Sequence, residues 1–304
     1  MRTLLNMLRV PNLLIIAFTF FLLRYLVFLP VYTAYSIEPA LNSLYFTMMV
    51  AATLLIAAAG YISNDYFDVV TDRVNKPLKQ YIGKHISSGS ALATAILLSL
   101  LSTVLAFWLT FALRSWFPVA LLTLALTVAW WYAIQLKRSF MWGNIAVACM
   151  SAGTIVLAWL IEKQSLQITG EPSKIISGIV AAISIFAFLL SLMREIVKDA
   201  EDIEGDKLIE CRSLPIVKGI PFTKTFILFL TVLTFLLLVI AQIYLLQFSR
   251  IVAVAWLFIS VEIPLIYFMA AVKKAHMKSD YHKMSSLIKW IMLGGIATII
   301  ASQF

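Results

Sequence analysis

Long apolar runs alternate along this chain with short polar ones, and the spacing is that of a bilayer. A helix needs about 20 mostly apolar residues to cross the hydrocarbon. Nine segments qualify: 11–31, 44–63, 90–112, 116–135, 144–161, 176–196, 223–247, 251–271 and 286–303. The stretch from Leu13 to Val31 is too long for the apolar part of a signal peptide and no clear small-residue cleavage site follows it, so it reads as the first span. The pattern predicts an all-α, polytopic membrane protein forming one integral-membrane domain over 1–304.

The long polar stretches are 64–89, 197–222 and 272–285. Each follows an even-numbered span, so all three emerge on one side. That side, with the N-terminus, carries 19 of the 24 Lys and Arg residues; the other holds Arg24, Arg114, Lys163, Lys174 and Arg250. The positive-inside rule then makes the N-terminus and polar loops cytoplasmic and puts Phe304 outside, in a multi-pass protein of the cell inner membrane. Composition agrees: 62% of residues are hydrophobic and only 13% charged, about half the charge of a soluble domain. The net charge of +9 is mostly a topology signal, and no basic face interleaved with stacking aromatics points to nucleic acid. The two cysteines, Cys149 in an apolar segment and Cys211 in a charged loop, are expected at different depths and unpaired, one a buried thiol and one a loop thiol.

The acids break the pattern. Ten of the 15 Asp and Glu residues fall in 65–72 and 195–210, on the side that is otherwise basic. Asp65, Asp68 and Asp72 spell DxxDxxxD; Asp199, Asp202 and Asp206 spell it again, each offset by 134 residues. A four-helix repeat accounts for the offset, helix 2 corresponding to helix 6. On a continuous helix Asn64, Asp65, Asp68 and Asp72 lie in a stripe roughly 100° wide, and Glu195, Asp199, Asp202 and Asp206 in one of roughly 60°. Glu201 and Glu204 then point the other way, toward solvent. Like charges three or four residues apart repel, and hard divalent cations answer such rows: Mg²⁺ takes one or two carboxylates, waters and substrate phosphates. Two rows could grip a diphosphate. The bland alternative is solvated loop acids paired with Arg73, Lys198 and Lys207.

Other polar residues say less. Glu262 lies inside helix 8, where an ionisable group either orients a ligand or is neutral and hydrogen-bonded beside Pro264. Arg24, in the outer part of helix 1, is explained by snorkelling. His85, His276 and His282 occupy loops without ligand spacing. Trp116, Trp131, Trp142 and Trp290 fall near span ends, as an aromatic belt does.

With both Asp rows in register with nine spans, the chain resembles the UbiA-type intramembrane prenyltransferases. Asn64, Asp65, Asp68 and Asp72 match the family's NDxxDxxxD, followed by Asn75, Lys76 and Pro77. "REIVKDAEDIEGDK" (194–207) followed by "RSLPIVKG" matches the second motif, and "RVPN" (9–12) and "WYAIQLKRSFMWGN" (131–144) are also similar to the family. The resemblance covers essentially the whole chain. It implies a helix bundle of two four-helix repeats plus one, around a central cavity open to the cytoplasmic side. It also implies that Mg²⁺ bridges a polyprenyl diphosphate donor to both motifs, with the tail among the membrane-embedded helices. Asn64, Asp65, Asp68, Asp72, Asp199, Asp202 and Asp206 become the metal set, with Asp68, Asp72, Asp202 and Asp206 central to catalysis. Tyr132 and Lys137 become candidates near the diphosphate, with Arg73, Lys76, Arg194 and Lys198 as further basic candidates, whose alternative role is positive-inside topology.

The string "REIVKDAEDIEGD" is most similar to the branch that transfers geranylgeranyl from geranylgeranyl diphosphate to geranylgeranylglyceryl phosphate. An aromatic acceptor such as 4-hydroxybenzoate is the alternative. An ion-coupled transporter would carry its acids near the midplane in broken helices, and a CDP-alcohol phosphotransferase would show a Gly after the second Asp, where Val69 stands. Oligomeric state has no signature in the chain.

Overall fold

The computed structural model describes residues 6–75 and 80–304. Among the described residues nine helices are long and apolar enough to cross a membrane: α1 (Val10–Ala34), α2 (Ser43–Phe67), α3 (Ser88–Ala112), α4 (Phe117–Ile134), α5 (Trp142–Leu166), α6 (Gly170–Glu201), α7 (Leu214–Gln247), α8 (Ile251–Lys274) and α9 (Lys278–Ala301). No strand occurs among the described residues. The count is the expected one, and most of the helices outrun the apolar segments that announced them. The protein is an integral, multi-pass membrane protein. The chain divides into two compact units, one holding residues up to Lys137 together with Gly153–Val180, the other Arg138–Ala152 together with Ala181–Phe304.

In the first unit α2 packs against α3 and α4. Small residues are buried on these helices, among them Ala52, Ala59, Ala95 and Ala133, and a Cβ on Gly60 would lie 3.4 Å from that of Ala129. Lipid tails are as apolar as leucine, so membrane helices associate by close packing and hydrogen bonds, which small side chains allow. Polar side chains tie the same helices: Ser102 Oγ donates to the Ala52 carbonyl at 3.1 Å and Trp130 Nε1 to Ser99 Oγ at 3.0 Å. Local signals start the helices, the Asn42 side chain accepting the Tyr45 amide at 2.9 Å and Ser87 Oγ the Ser90 amide at 3.1 Å. Each such cap is worth about 1 kcal/mol.

Arg24 corrects a sequence expectation. It does not snorkel: it is only 4% exposed, at the head of a π-helical turn (Arg24–Phe28) ahead of Pro30, which has no amide hydrogen to donate. Its Nη2 donates to the Leu41 carbonyl at 2.7 Å, its Nη1 lies 3.5 Å from Glu162 Oε1, and its guanidinium covers the Phe46 ring at 4.5 Å. Glu162, 1% exposed, accepts the Ala40 amide at 3.0 Å through Oε2. Sequence offered no partner because Glu162 is 138 residues away. Removing one member of such a pair strands a buried charge, at about 3–5 kcal/mol.

In the second unit α7 packs with α8, and α8 with α9. α7 begins nine residues before the expected 223 and kinks at Gly219 (φ 79, ψ 162), just ahead of Pro221. The positive φ suits only glycine comfortably, and the proline cannot continue the ladder across it. α8 carries its own π-helical turn, Phe258–Glu262, ahead of Pro264. There α9 comes so close that a Cβ on Gly294 would lie 2.8 Å from the Ser260 carbonyl oxygen. Glu262 is buried in that turn, and its Oε1 has no hydrogen-bond partner among the described residues.

Two smaller expectations change. Cys149 is exposed on α5 while Cys211 is buried, and no disulfide joins them. Trp290 lies well inside α9, because that helix starts at Lys278 rather than 286.

Candidate active site

The first Asp row does not lie on one continuous helix. α2 ends at Phe67, Asp68 takes the break (φ −95, ψ 5), and a separate short helix, Val69–Asn75, carries Asp72. The Asp68 amide still bonds back to the Asn64 carbonyl at 2.9 Å, and its own carbonyl accepts the Asp72 amide at 2.8 Å and Thr71 Oγ1 at 2.9 Å. A threonine hydroxyl competing for a helix carbonyl is a known source of such breaks. The Thr71 hydroxyl also reaches Asp68 Oδ1 at 3.3 Å.

Cations from distant segments meet this row. Arg9 Nη2 donates to Asp65 Oδ1 at 2.6 Å, and the same guanidinium covers the Tyr61 ring at 4.9 Å. Burial alone would lower the Arg9 pKa, but the Asp65 carboxylate holds it above its ordinary value. Arg9 is set in place by a left-handed backbone (φ 51, ψ 48) just before α1. Lys137 Nζ forms a short ion pair with Asp68 Oδ1. Tyr132, near the end of α4, belongs to the same compact unit as Arg9 and Lys137. Asp65 and Asp72 line a small cleft with Val69, Gln80, Tyr81 and Ile82, beside a hydrophobic cluster of Met7, Ile62 and Ala91. Arg73 is exposed, and Lys76 lies outside the described residues.

The second row breaks the same way. α6 ends at Glu201, Asp202 takes the break (φ −103, ψ 10), and Ile203–Leu208 forms a short helix carrying Asp206. The Asp202 amide bonds to the Lys198 carbonyl at 2.9 Å and its carbonyl accepts the Asp206 amide at 3.1 Å. Here the expected continuous stripe of Glu195, Asp199, Asp202 and Asp206 gives way: the third aspartate sits past the bend. Asn144 Nδ2 donates to Asp199 Oδ2 at 2.7 Å. The basic candidates of this unit turn to Glu195, Arg194 Nη1 at 3.0 Å and Lys198 Nζ at 2.8 Å. Glu204 is exposed as expected, but Glu201 is not free in solvent: its Oε1 lies 2.9 Å from His282 Nδ1.

The donors present suit a hard, oxygen-loving cation. Asn64 Oδ1 is buried without a hydrogen-bond partner at the last turn of α2, an orphaned acceptor next to the first row. Among the described residues no three His, Cys, Asp or Glu side chains close on one metal point. Mg²⁺ takes such hard oxygen donors together with waters and substrate oxygens.

The UbiA prenyltransferase family model matches residues 12–293. The chain belongs to this family. The digeranylgeranylglyceryl phosphate synthase of Methanosphaera stadtmanae is 30% identical over 79% of this chain and 80% of its own length. A solved structure of a digeranylgeranylglyceryl phosphate synthase aligns over 98% of both chains with a TM-score of 0.64 at 23% identity. A UbiA homologue from Archaeoglobus fulgidus, solved with GPP and Mg²⁺, aligns over 98% of this chain and 99% of its own with a TM-score of 0.57 at 16% identity. At those identities the structures speak for the fold.

Within this UbiA-type prenyltransferase, sequence reasoning singled out neither Arg9 nor Asn144, though both stand in segments already similar to the family. The available signal was positional. Each side chain reaches the first aspartate of a row from just before or within the first turn of an odd-numbered helix, 56 residues ahead in one case and 55 in the other.

Proposed function

We propose that this enzyme transfers a geranylgeranyl group from geranylgeranyl diphosphate to geranylgeranylglyceryl phosphate and releases diphosphate, with Mg²⁺ held by Asn64, Asp65, Asp68, Asp72, Asp199, Asp202 and Asp206. The observation that carries this reading is the repeated break: two Asp rows, each bent at its middle aspartate, present hard oxygen ligands at the ends of long apolar helices. The acceptor is supported by the synthase name of the Methanosphaera relative.

In this reading the C1–O bond of the donor breaks, the diphosphate leaves with the electron pair, the acceptor hydroxyl oxygen bonds to C1, and its proton passes to solvent. Bound Mg²⁺ supplies the positive charge against which diphosphate leaves. Lys137 adds a preorganised cation beside Asp68 and Arg9 one beside Asp65, while Tyr132 offers a phenol hydroxyl toward the diphosphate. Arg73, Lys76, Arg194 and Lys198 serve the phosphate groups or the topology. Apolar helix surroundings keep water from the allylic cation. In this reading the rows lie on the cytoplasmic side of the inner membrane, with the N-terminus, and Phe304 lies outside, which the Lys and Arg distribution supports. The 304 residues act as one functional domain.

A donor-by-acceptor panel tests this. Purified protein receives C10 to C40 prenyl diphosphates with geranylgeranylglyceryl phosphate, 4-hydroxybenzoate or dihydroxynaphthoate, and products are identified by mass. The C20 ether of geranylgeranylglyceryl phosphate is expected. Robust prenylation of the aromatic acids alone would replace the acceptor, and turnover persisting in excess EDTA would remove the metal.

A further inference from the structure

Asp65 and Asp199 hold the same place in their rows, yet the side chains that reach them differ in charge. Arg9 meets Asp65 as an ion pair at 2.6 Å, whereas Asn144 meets Asp199 through a neutral amide at 2.7 Å. Asn144 is buried in the first turn of α5, so its geometry is locked by packing as well as by the bond. An amide N–H turned to one carboxylate oxygen fixes the plane of that carboxylate, and it does so without cancelling the negative charge. A guanidinium does both. Partners that orient a metal-binding carboxylate in this way typically govern affinity by about 10–100-fold when removed.

We propose that Asn144 is a positioning residue for the second Asp row: it orients Asp199 for Mg²⁺ while leaving its charge available. This rests on the reading that the Asp rows hold the metal. The bond runs from a residue 55 positions upstream, mirroring the 56-position reach of Arg9. The leading carboxylate of the second row is thus met by an amide where that of the first is met by a guanidinium.

The test is Mn²⁺ titration of the purified full-length protein without prenyl donor, the free-ion EPR signal reporting binding and thermal melting run alongside. Asn144→Leu, which keeps the volume and loses the donor, should raise the Mn²⁺ dissociation constant about tenfold. Asn144→Gln, which restores an amide on a longer arm, should recover part of that loss. Should the Leu variant not fold, Asn144→Ala, which also lacks a donor, carries the same expectation. Asp199→Asn is the reference and should weaken binding at least as much. Wild-type affinity in Asn144→Leu with weak binding in Asp199→Asn overturns the positioning role and leaves the metal reading standing. Wild-type affinity in Asp199→Asn overturns the metal reading of this row itself. A Leu variant that melts lower yet binds Mn²⁺ normally also overturns the proposal, since the bond would then serve folding alone.

Discussion

The two Asp rows break at the same residue of their motif and are held in place by different chemistry. At Asp68 and Asp202 the backbone angles agree within about ten degrees, and in each row the amide four residues on bonds back to the middle aspartate. Around the first row, Arg9 and Lys137 come from elsewhere in the chain and pair with the motif's own carboxylates. Around the second, Arg194 and Lys198 pair with Glu195, one turn ahead of the motif, and an amide meets Asp199. The two rows thus share the bend, which sets where the ligands point, while their counter-charges come from different places. Backbone geometry is the shared requirement; the cations are where the two halves specialise.

The largest effects should come from what the rows share. Asp68→Ala and Asp202→Ala are each expected to lower kcat about a thousandfold, the several kcal/mol that metal stabilisation of a leaving oxyanion supplies. Product formation under saturating donor and Mg²⁺ measures both. Loss in one variant and near-normal turnover in the other would break the equivalence of the rows.

Next come the cations, where the rows should part company. Lys137→Met removes a preorganised charge on a motif aspartate and should cost about a hundredfold in kcat/KM. Lys198→Met disrupts a partly exposed pair with Glu195 and should cost about threefold. Equal losses would mean that Lys198 acts on substrate after all, and that its place beside Glu195 misstates its role.

That contrast also shows what sequence could reveal. Aspartates at the ends of long apolar runs are conspicuous because the bilayer makes charge costly there, so the rows, their offset and the nine spans were legible. The bends were not: Phe67-Asp68-Val69 and Glu201-Asp202-Ile203 contain no proline or glycine, and periodicity assumes a continuous helix. The partners were equally hidden, because the separations of Arg9 from Asp65 and Lys137 from Asp68 are 56 and 69 residues, set by helix packing rather than by local pattern. For the same reason Arg24 read as a snorkelling side chain, when Glu162 and the Leu41 carbonyl hold it in the interior.

The smallest expected effect separates the rows most finely. Thr71 supports Asp68 twice, through its carbonyl and through Oδ1. The position 134 residues later is Gly205, which has no side chain to play that part. Thr71→Val keeps shape and β-branching while removing the hydroxyl, so it should make the first row resemble the second. One hydrogen bond of this kind is worth about 1 kcal/mol, so the Mg²⁺ concentration for half-maximal turnover should rise about fivefold, with kcat at saturating Mg²⁺ nearly unchanged. The split between the two parameters decides the matter. A fall in kcat with unaltered Mg²⁺ dependence would place Thr71 in substrate positioning instead, and no change in either would mean that the bend at Asp68 holds without its hydroxyl, as the bend at Asp202 already does.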